Sequence, residues 1–456
     1  MSPASSSSSP RTPGHSMAKP TFPASKRSIL ADGIVFSAGA SASLLLIWVF
    51  STFLPHGPSP AQSSFIANQF LEPFPCGRPD LTFDSSAPSF YDDPSLSYSL
   101  SDSRPLSDWD KKRRRWLRLH PSFSGDVDRV LLLTGSQPTP CRNRGGDHLL
   151  LRFFKNKVDY CRLHGIDVFY NAALLHPSMP SFWAKLPLVR AAMVAHPEAE
   201  WLWWVDSDAA ITDMEFELPL SRYRSHNLVV HGWPNLIYEN RSWTAINAGV
   251  FLIRNCQWSL DFLARWARLG PQNPDYARWG QILRAELPDK LFPDSDDQSA
   301  LIFLLLREKQ RWGDKIYLES EFYFEGYWLE IVGRLEGIAE RYMEMERKEP
   351  ALRRRRSEKV EASPNREWRQ GRLAAEGAEE SGREGWRRRP FITHFTGCQP
   401  CSGDHNEIYS AESCYRGMVK ALNFADDQVL RAYGFRHIDL LNDSVLPLPF
   451  DFPVAG

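Results

Sequence analysis

The chain has no excess of charge of either sign. Its 456 residues carry 54 Lys and Arg against 55 Asp and Glu. Such a balance gives no electrostatic footprint for nucleic acid, so nucleic acid is not an expected partner. Cysteine is scarce: Cys76, Cys141, Cys161, Cys256, Cys398, Cys401 and Cys414. There is a single CxxC, Cys398-Gln-Pro-Cys401, where a ribbon-type zinc site needs two. Ile34 to Leu54 lacks charged side chains altogether. Residues 55–125 lack any sustained hydrophobic period and read as a stem. Within them Lys111 to Arg115 is a basic run, read most simply as a solvated face.

A charge-free run needs about 20 residues to span a bilayer as a helix. The rival reading is a cleaved signal peptide, whose apolar region is about 7–15 residues and lies nearer the start. Arg11, Lys19, Lys26 and Arg27 precede the run, and the first basic residue after it is Arg78. The positive-inside rule then puts the N-terminus in the cytosol and the rest in a lumen. The expected organisation is a tail over 1–33, an anchor over 34–54, a stem over 55–125 and a catalytic domain over 126–455. A lumenal domain makes Asn240-Arg-Ser242 and Asn442-Asp-Ser444 candidate N-glycosylation sites. It also makes the cysteines candidates for disulfides, with the CxxC in a structural rather than a metal or redox role. Their odd number leaves at least one free or paired between chains, and the pairing stays open.

Order is expected from Val130-Leu-Leu-Leu133, a buried strand ending in Thr134-Gly-Ser-Gln-Pro138. A helix over 149–163, a strand at Ile166–Tyr170 and a helix over 182–196 follow. They deliver the chain to Trp201-Leu-Trp-Trp-Val205. This alternation predicts an α/β domain with a parallel or mostly parallel sheet and helices on both faces. Further strands are expected at 227–231, 245–253 and 315–319, and further helices at 258–269, 299–306 and 421–433. Residues 333–390, rich in Arg, Glu and Lys, read as a charged insertion, solvent-exposed and either helical or mobile.

The apolar run 201–205 stops at Asp206-Ser207-Asp208. Ligands of open α/β sheets bind beyond the carboxyl ends of the strands. Two carboxylates one residue apart are most easily tolerated with a cation between them. Hard divalent cations take oxygen ligands and bridge to phosphates. The alternative is a solvated acidic turn. Asn247-Ala-Gly249 offers an amide for sugar hydroxyls and a glycine for close approach, or a mere strand-entry turn. Asp296, Asp297 and Gln298, with Asp294 ahead, exceed what one helix cap requires and suit a developing oxocarbenium charge. His394, between an apolar strand and Gly397, is a candidate third metal ligand or a structural histidine; Mn²⁺ accepts mixed carboxylate and imidazole sets.

Six stretches together resemble glycosyltransferase family 34, the plant retaining α-1,6-glycosyltransferases. They are Thr134–Pro138, Trp183-Ala-Lys-Leu-Pro187, Trp203–Asp208, Arg254-Asn-Cys-Gln-Trp-Ser259, Asp296-Asp-Gln-Ser-Ala300 and Thr393-His-Phe-Thr-Gly-Cys398. Within the family the chain is most similar to the galactomannan galactosyltransferase branch. That likeness lies in Val229-Val-His-Gly-Trp233, Asn247-Ala-Gly-Val250, Pro293–Asp297, Glu319–Trp328 and Gly397-Cys-Gln-Pro-Cys401.

The resemblance implies a GT-A type nucleotide-diphosphosugar transferase fold, Rossmann-like with a mixed sheet, in a type II Golgi membrane enzyme. It implies Mn²⁺, with Mg²⁺ as the alternative ion, and UDP-galactose as donor. Asp206, Asp208 and His394 would be the metal ligands. Gly135, Ser136, Gln137, Lys185, Ser207, Asn247, Ala248, Gly249, Gly397 and Gln399 would serve the donor, and Asp296, Asp297 and Gln298 the sugar. Gln399 stands where the xylosyltransferase branch carries Lys. Small Ala248 would leave room for the galactose CH₂OH. Trp233, Tyr323, Phe324, Tyr327 and Trp328 are candidates for an acceptor groove, since aromatic faces suit pyranose rings, or for the core. The expected activity is transfer of galactose, with retention, to O6 of mannose in a β-1,4-mannan. Xyloglucan α-1,6-xylosyl transfer and a non-catalytic scaffold in a polysaccharide-synthase assembly are the alternatives. A mannan synthase or a second copy of the chain are further expected partners.

Overall fold

The computed structural model describes residues 106–123, 128–173, 175, 180–349, 352, 366–367, 369–372 and 388–449. The expected anchor over 34–54, Cys76 and most of the expected stem lie outside the described residues. Among the described residues no helix is long and apolar enough to cross a membrane.

The chain order, with helices under eight residues left unnumbered, starts with α1 (Trp109–Leu119), β1 (Val130–Gly135), α2 (Gly146–His164), β2 (Asp167–Asn171), α3 (Lys185–Ala195), β3 (Trp201–Val205) and β4 (Ala209–Ile211). Next come β5 (Leu228–Gly232), β6 (Ile246–Arg254), α4 (Gln257–Ala267), α5 (Tyr276–Glu286) and α6 (Asp297–Arg307). The last are β7 (Ile316–Glu319), α7 (Leu335–Lys348), β8 (Ile392–His394), α8 (Ala411–Leu430), β9 (Phe435–His437) and β10 (Val445–Pro447).

The main sheet has six strands in the order β2-β1-β3-β6-β5-β7. The first three are parallel, as their helical crossovers require. β6 then runs antiparallel to both β3 and β5, and β7 parallel to β5. Five of the six strands therefore run the same way, a mostly parallel sheet made mixed by one antiparallel strand. The reason is β6, which is reached from β5 through a short connection instead of a long crossover.

Strands this apolar are buried on both faces. Leu131, Leu133, Leu202, Trp204, Phe251 and Ile253 pack with α3, α4 and α6 in one cluster. Their neighbours in sequence, Val130, Leu132, Trp201, Trp203, Val250 and Leu252, face the opposite way and pack with α2 and α8. Period-two alternation of the side chains makes this partition.

α1 lies in the segment read as stem, yet it is part of the folded body. Trp109 is fully buried in the core, and its Nε1 donates to Asn255 Oδ1 at 2.7 Å. Within the basic run, Arg113 donates to Pro197 O and Ala199 O and pairs with Glu200. The expected charged insertion also differs from a solvated segment: α7 buries Leu335, Ile338, Tyr342 and Met345. Its apolar face recurs at helical spacing, which high overall charge hides in composition.

Beyond Asp206 the chain turns and leaves the main sheet. β4 pairs instead with β8, antiparallel, with Ala209 opposite His394. The other edge of β8 is taken by the loop after β7: Ile392 N donates to Tyr323 O and His394 N to Gly326 O. Two disulfides, Cys141–Cys401 and Cys398–Cys414, tie the segment after β8 to the loop before α2 and to α8. The two cysteines of the CxxC therefore pair with other partners rather than with each other. Cys161 and Cys256 are free.

Candidate metal and sugar-transfer site

The site grows from the carboxyl end of β3. Asp206 leaves the strand with its N–H on Gly249 O at 2.8 Å. Its Oδ1 accepts Trp204 Nε1 at 2.6 Å. Ser207 forms the turn into β4. The β4–β8 register then places His394 beside Asp208, their Nε2 and Oδ1 3.3 Å apart. Nε2 is 3.9 Å from Asp206 Oδ2. One ligand atom from each of Asp206, Asp208 and His394 lies within 4.8 Å of the others.

These residues fit a divalent cation. The donor set is two hard carboxylates and one imidazole. The carboxylates are 28 % and 20 % exposed while His394 is 4 % exposed, so the cluster has a rigid floor and an open mouth for further ligands. Gly249 forms part of the cradle. A Cβ there would stand 2.3 Å from His394 Cε1 and 2.6 Å from Asp206 Oδ2. With no cation bound, burial would push the His394 imidazolium pKa down, but Asp208 and Glu325 outweigh it and raise it from 6.5 to about 10. A cation displaces that proton, because a ligating imidazole must be neutral.

Lys185, from the first turn of α3, is buried on the inner side. Its Nζ donates to Ala248 O at 3.0 Å. It lies 2.9 Å from Asp297 Oδ2 and 3.4 Å from Asp206 Oδ1. Burial would lower its pKa; the two carboxylates reverse that and raise it. The Asp297 contact is an ion pair rather than a well-directed hydrogen bond, since Oδ2 has no hydrogen-bond donor. Burial raises the Asp297 pKa from 3.8 to about 6, against the pull of Lys185. One ammonium thus couples a candidate metal ligand to the candidate sugar carboxylate.

The other members of that acidic stretch are engaged elsewhere. Asp296 caps α6 by accepting Ser299 N at 2.8 Å, and it also takes the Ser299 hydroxyl and the Lys290 ammonium. Its place in the site is as the cap that aims Asp297 inward. Gln298 donates to Trp243 O at 2.9 Å and accepts Ala248 N at 3.3 Å, so its amide holds backbone. Asn247 Oδ1 accepts Gly249 N at 2.7 Å and shapes the strand entrance. Ala248 is buried in the core.

Gly135 ends β1 and Ser136 and Gln137 follow it, at a carboxyl end that neighbours that of β3. Ser136 Oγ donates to Gln137 Oε1 at 2.7 Å, and Gln137 Nε2 donates to Thr139 O at 3.3 Å. Gly397 turns with φ +80°, which favours glycine. Gln399 is exposed and accepts the Ser402 hydroxyl at 2.9 Å.

The expected aromatic groove is corrected in part. Phe324 and Trp328 are fully buried in the core and present no face to a sugar. Their ring area is better satisfied by packing, Trp328 against Phe395 and Tyr409. Tyr323 and Tyr327 are half-buried, their hydroxyls bonded to Arg334 and Tyr409. Trp233, 40 % exposed, keeps an open face. Asn240 is exposed and Asn442 half-buried.

Two residues at the site were given no role by the sequence reading. Lys157 of α2 is buried with its Nζ on Ala209 O at 2.7 Å, directly behind the Asp pair. Burial lowers its pKa to about 7, with Asp208 and Asp206 opposing. Glu325 reaches His394 Nδ1 from the other side, Oε1 at 3.2 Å. Its signal was a lone carboxylate inside the aromatic run Phe322–Trp328.

Residues 126–405 match the sequence profile of the galactosyl transferase GMA12/MNN10 family. Glycosyltransferase 6 of Arabidopsis thaliana is 56% identical, over 93% of this chain and 96% of that protein. Galactomannan galactosyltransferase 1 of Cyamopsis tetragonoloba is 54% identical, over 93% of this chain and 97% of that protein.

Proposed function

This chain belongs to the galactosyl transferase GMA12/MNN10 family of glycosyltransferases, and from that premise we propose that it transfers galactose, with retention, from UDP-galactose to O6 of mannose in a β-1,4-mannan. The observation that carries the chemistry is the convergence of Asp206, Asp208 and His394 with the Lys185–Asp297 pair at one strand end. The sugar assignment rests on the identity to the galactomannan enzyme across nearly the whole of both chains.

We assign the mixed sheet to the GT-A class on the same grounds, an Asp-x-Asp at the end of a central strand. Asp206, Asp208 and His394 would hold Mn²⁺, with Mg²⁺ as the alternative. When bound, the ion supplies Lewis acidity to the departing diphosphate. Lys185 keeps Asp297 anionic despite its burial. Asp297 then opposes the positive charge that develops at the anomeric carbon, a preorganised electrostatic role. Its charge is already engaged by Lys185, which favours that role over covalent attack. The acceptor hydroxyl enters on the face from which UDP departs and passes its proton to a phosphate oxygen. A galactosylated Asp297 trapped from a reaction mixture would sink this mechanism.

Trp233 is the side chain best placed to present a flat face to a mannan ring. We place the enzyme in the Golgi membrane with its catalytic domain in the lumen. The charge-free run 34–54 and the basic residues ahead of it support that placement. Protection of the domain from protease in sealed vesicles tests it.

The activity test incubates the full-length chain with Mn²⁺ and mannohexaose, offering UDP-galactose or UDP-xylose in parallel. A hexose-sized mass gain that α-galactosidase removes is the expected result. A pentose gain, seen only on a glucan oligomer, overturns the assignment.

A further inference from the structure

Glu325 is a buried carboxylate with an unusual set of partners. One oxygen lies 3.2 Å from His394 Nδ1 and the other 3.9 Å from His231 Nε2. Among the described residues no Lys or Arg lies within ion-pair distance of it. Its partners are the two imidazoles, His394 at hydrogen-bond distance first, so the burial of this carboxylate is tied to that ring.

The backbone that delivers it is strained. Phe322 and Tyr323 both adopt positive φ, 47° and 54°. Such a backbone is costly for an aromatic residue and persists only where its surroundings hold it. Here they do. Phe391 N and Ile392 N donate to Phe322 O and Tyr323 O, and His394 N to Gly326 O. Gly326 is pressed so closely that a Cβ would meet Ile392 O at 2.4 Å. The loop is thus sewn along β8, and its geometry aims Glu325 at the far nitrogen of the ring whose near nitrogen faces Asp206 and Asp208. Behind Glu325, the buried His231 stands edge-to-face on the exposed Trp233, ring centroids 4.6 Å apart.

We propose that Glu325 is a positioning residue of the cation site: it accepts the Nδ1–H of His394, fixing the tautomer and ring orientation in which Nε2 offers its lone pair between Asp206 and Asp208. His231, 3.9 Å from the second oxygen, lies next to this support on the wall that ends in Trp233. Ligating histidines generally donate their other N–H to a carboxylate or carbonyl, and loss of that partner costs about 10–100-fold in metal affinity. The proposal rests on the reading of Asp206, Asp208 and His394 as a cation site.

The test is a titration of the full-length chain with Mn²⁺, reading free ion by electron paramagnetic resonance, for wild type, Asp208→Asn, Glu325→Leu and Glu325→Gln. Asp208→Asn abolishes binding if the cation reading holds. Glu325→Leu is expected to weaken Mn²⁺ binding by about 10–100-fold, and Glu325→Gln by less, because an amide oxygen can still accept the Nδ1–H. Saturating Mn²⁺ restores UDP binding to both Glu325 variants, which a general defect of the fold does not allow. Should Glu325→Leu fail to fold, Glu325→Gln carries the test. Wild-type affinity in both Glu325 variants, with Asp208→Asn defective, overturns the positioning role alone. Equal binding by wild type and Asp208→Asn, or none by wild type, overturns the cation reading and this proposal with it.

Discussion

Replacing Gly249 by Ala tests the cradle directly. The added methyl would stand 2.3 Å from His394 Cε1, 2.6 Å from Asp206 Oδ2 and 2.9 Å from Asn247 Oδ1. Carbon atoms rest about 3.5–4.0 Å apart. Either the ring or strand β6 must therefore give by roughly 1 Å. The ring is held from behind by Glu325, and the strand is paired on both sides by β3 and β5. Neither retreats without loss. Metal ligation tolerates only about 0.2 Å, so a displaced His394 is a lost ligand. We expect Mn²⁺ affinity to fall at least about 100-fold, close to 2.8 kcal/mol at about 1.4 kcal/mol per decade. Overpacking should cost a further ~1–3 kcal/mol of stability without metal. Isothermal titration with Mn²⁺ and thermal unfolding in chelator separate the two effects. Gly333→Ala is the control, since nothing lies within 4 Å of a Cβ there. Wild-type Mn²⁺ affinity in Gly249→Ala would refute the cradle and the close approach on which it depends.

Trp109→Ala should destabilise the body by about 3–5 kcal/mol, the usual cost of deleting a buried Trp, and it strands Asn255 Oδ1; an unchanged urea midpoint would return α1 to the stem. Lys157 has a folded pKa near 7 against an ordinary 10.5. The folded state therefore disfavours its charge, and its contribution to stability is present above 10.5 and is lost as pH falls through 7. Between pH 7 and 9 this group alone contributes a rise of up to about 1.4 kcal/mol per pH unit, opposed by metal-free His394, so Lys157→Met should lower the slope by about that amount relative to wild type. Equal slopes in the two proteins, from urea midpoints across that range, count against a buried charge. Gly337→Ala, in α7 with open space around the new methyl, should stabilise by up to about 1 kcal/mol through helix propensity. No gain in thermal midpoint would mean that α7 contributes little to the folded state in solution.

How much of this was legible follows from the distance over which each signal acts. The apolar runs Val130–Leu133 and Trp201–Val205 are local and unbroken, and both are strands buried on two faces. The Asp-x-Asp at the end of the second is local too. The helix at Asp297 announces its own start, because Asp296 is a cap residue at the required place. The charged stretch 333–390 misled in part. Its Arg and Glu mask the spacing of Leu335, Ile338, Tyr342 and Met345, a face that shows only when the helix has something to pack against. Trp109 and Trp116 in the stem were silent for the same reason: two buried aromatics on one short helix make no sustained period.

The aromatic run 322–328 illustrates the limit at the site. Its composition suits a sugar-binding face or a core equally well, and only packing sends Phe324 and Trp328 inward while Trp233 stays open. From the sequence by itself came the family, the α/β alternation, the strand that ends in two carboxylates and the candidate ligands, all carried by residues close in sequence. Tertiary structure alone decided that β4 leaves the sheet to pair with β8, which brings His394 onto Asp208, and that Lys185 joins Asp206 to Asp297. It also decided that Cys398 and Cys401 part to Cys414 and Cys141, and that Glu325 stands behind His394. Those contacts join residues far apart in sequence, and the hydrogen-bond register and side-chain packing that create them have no local periodicity to read.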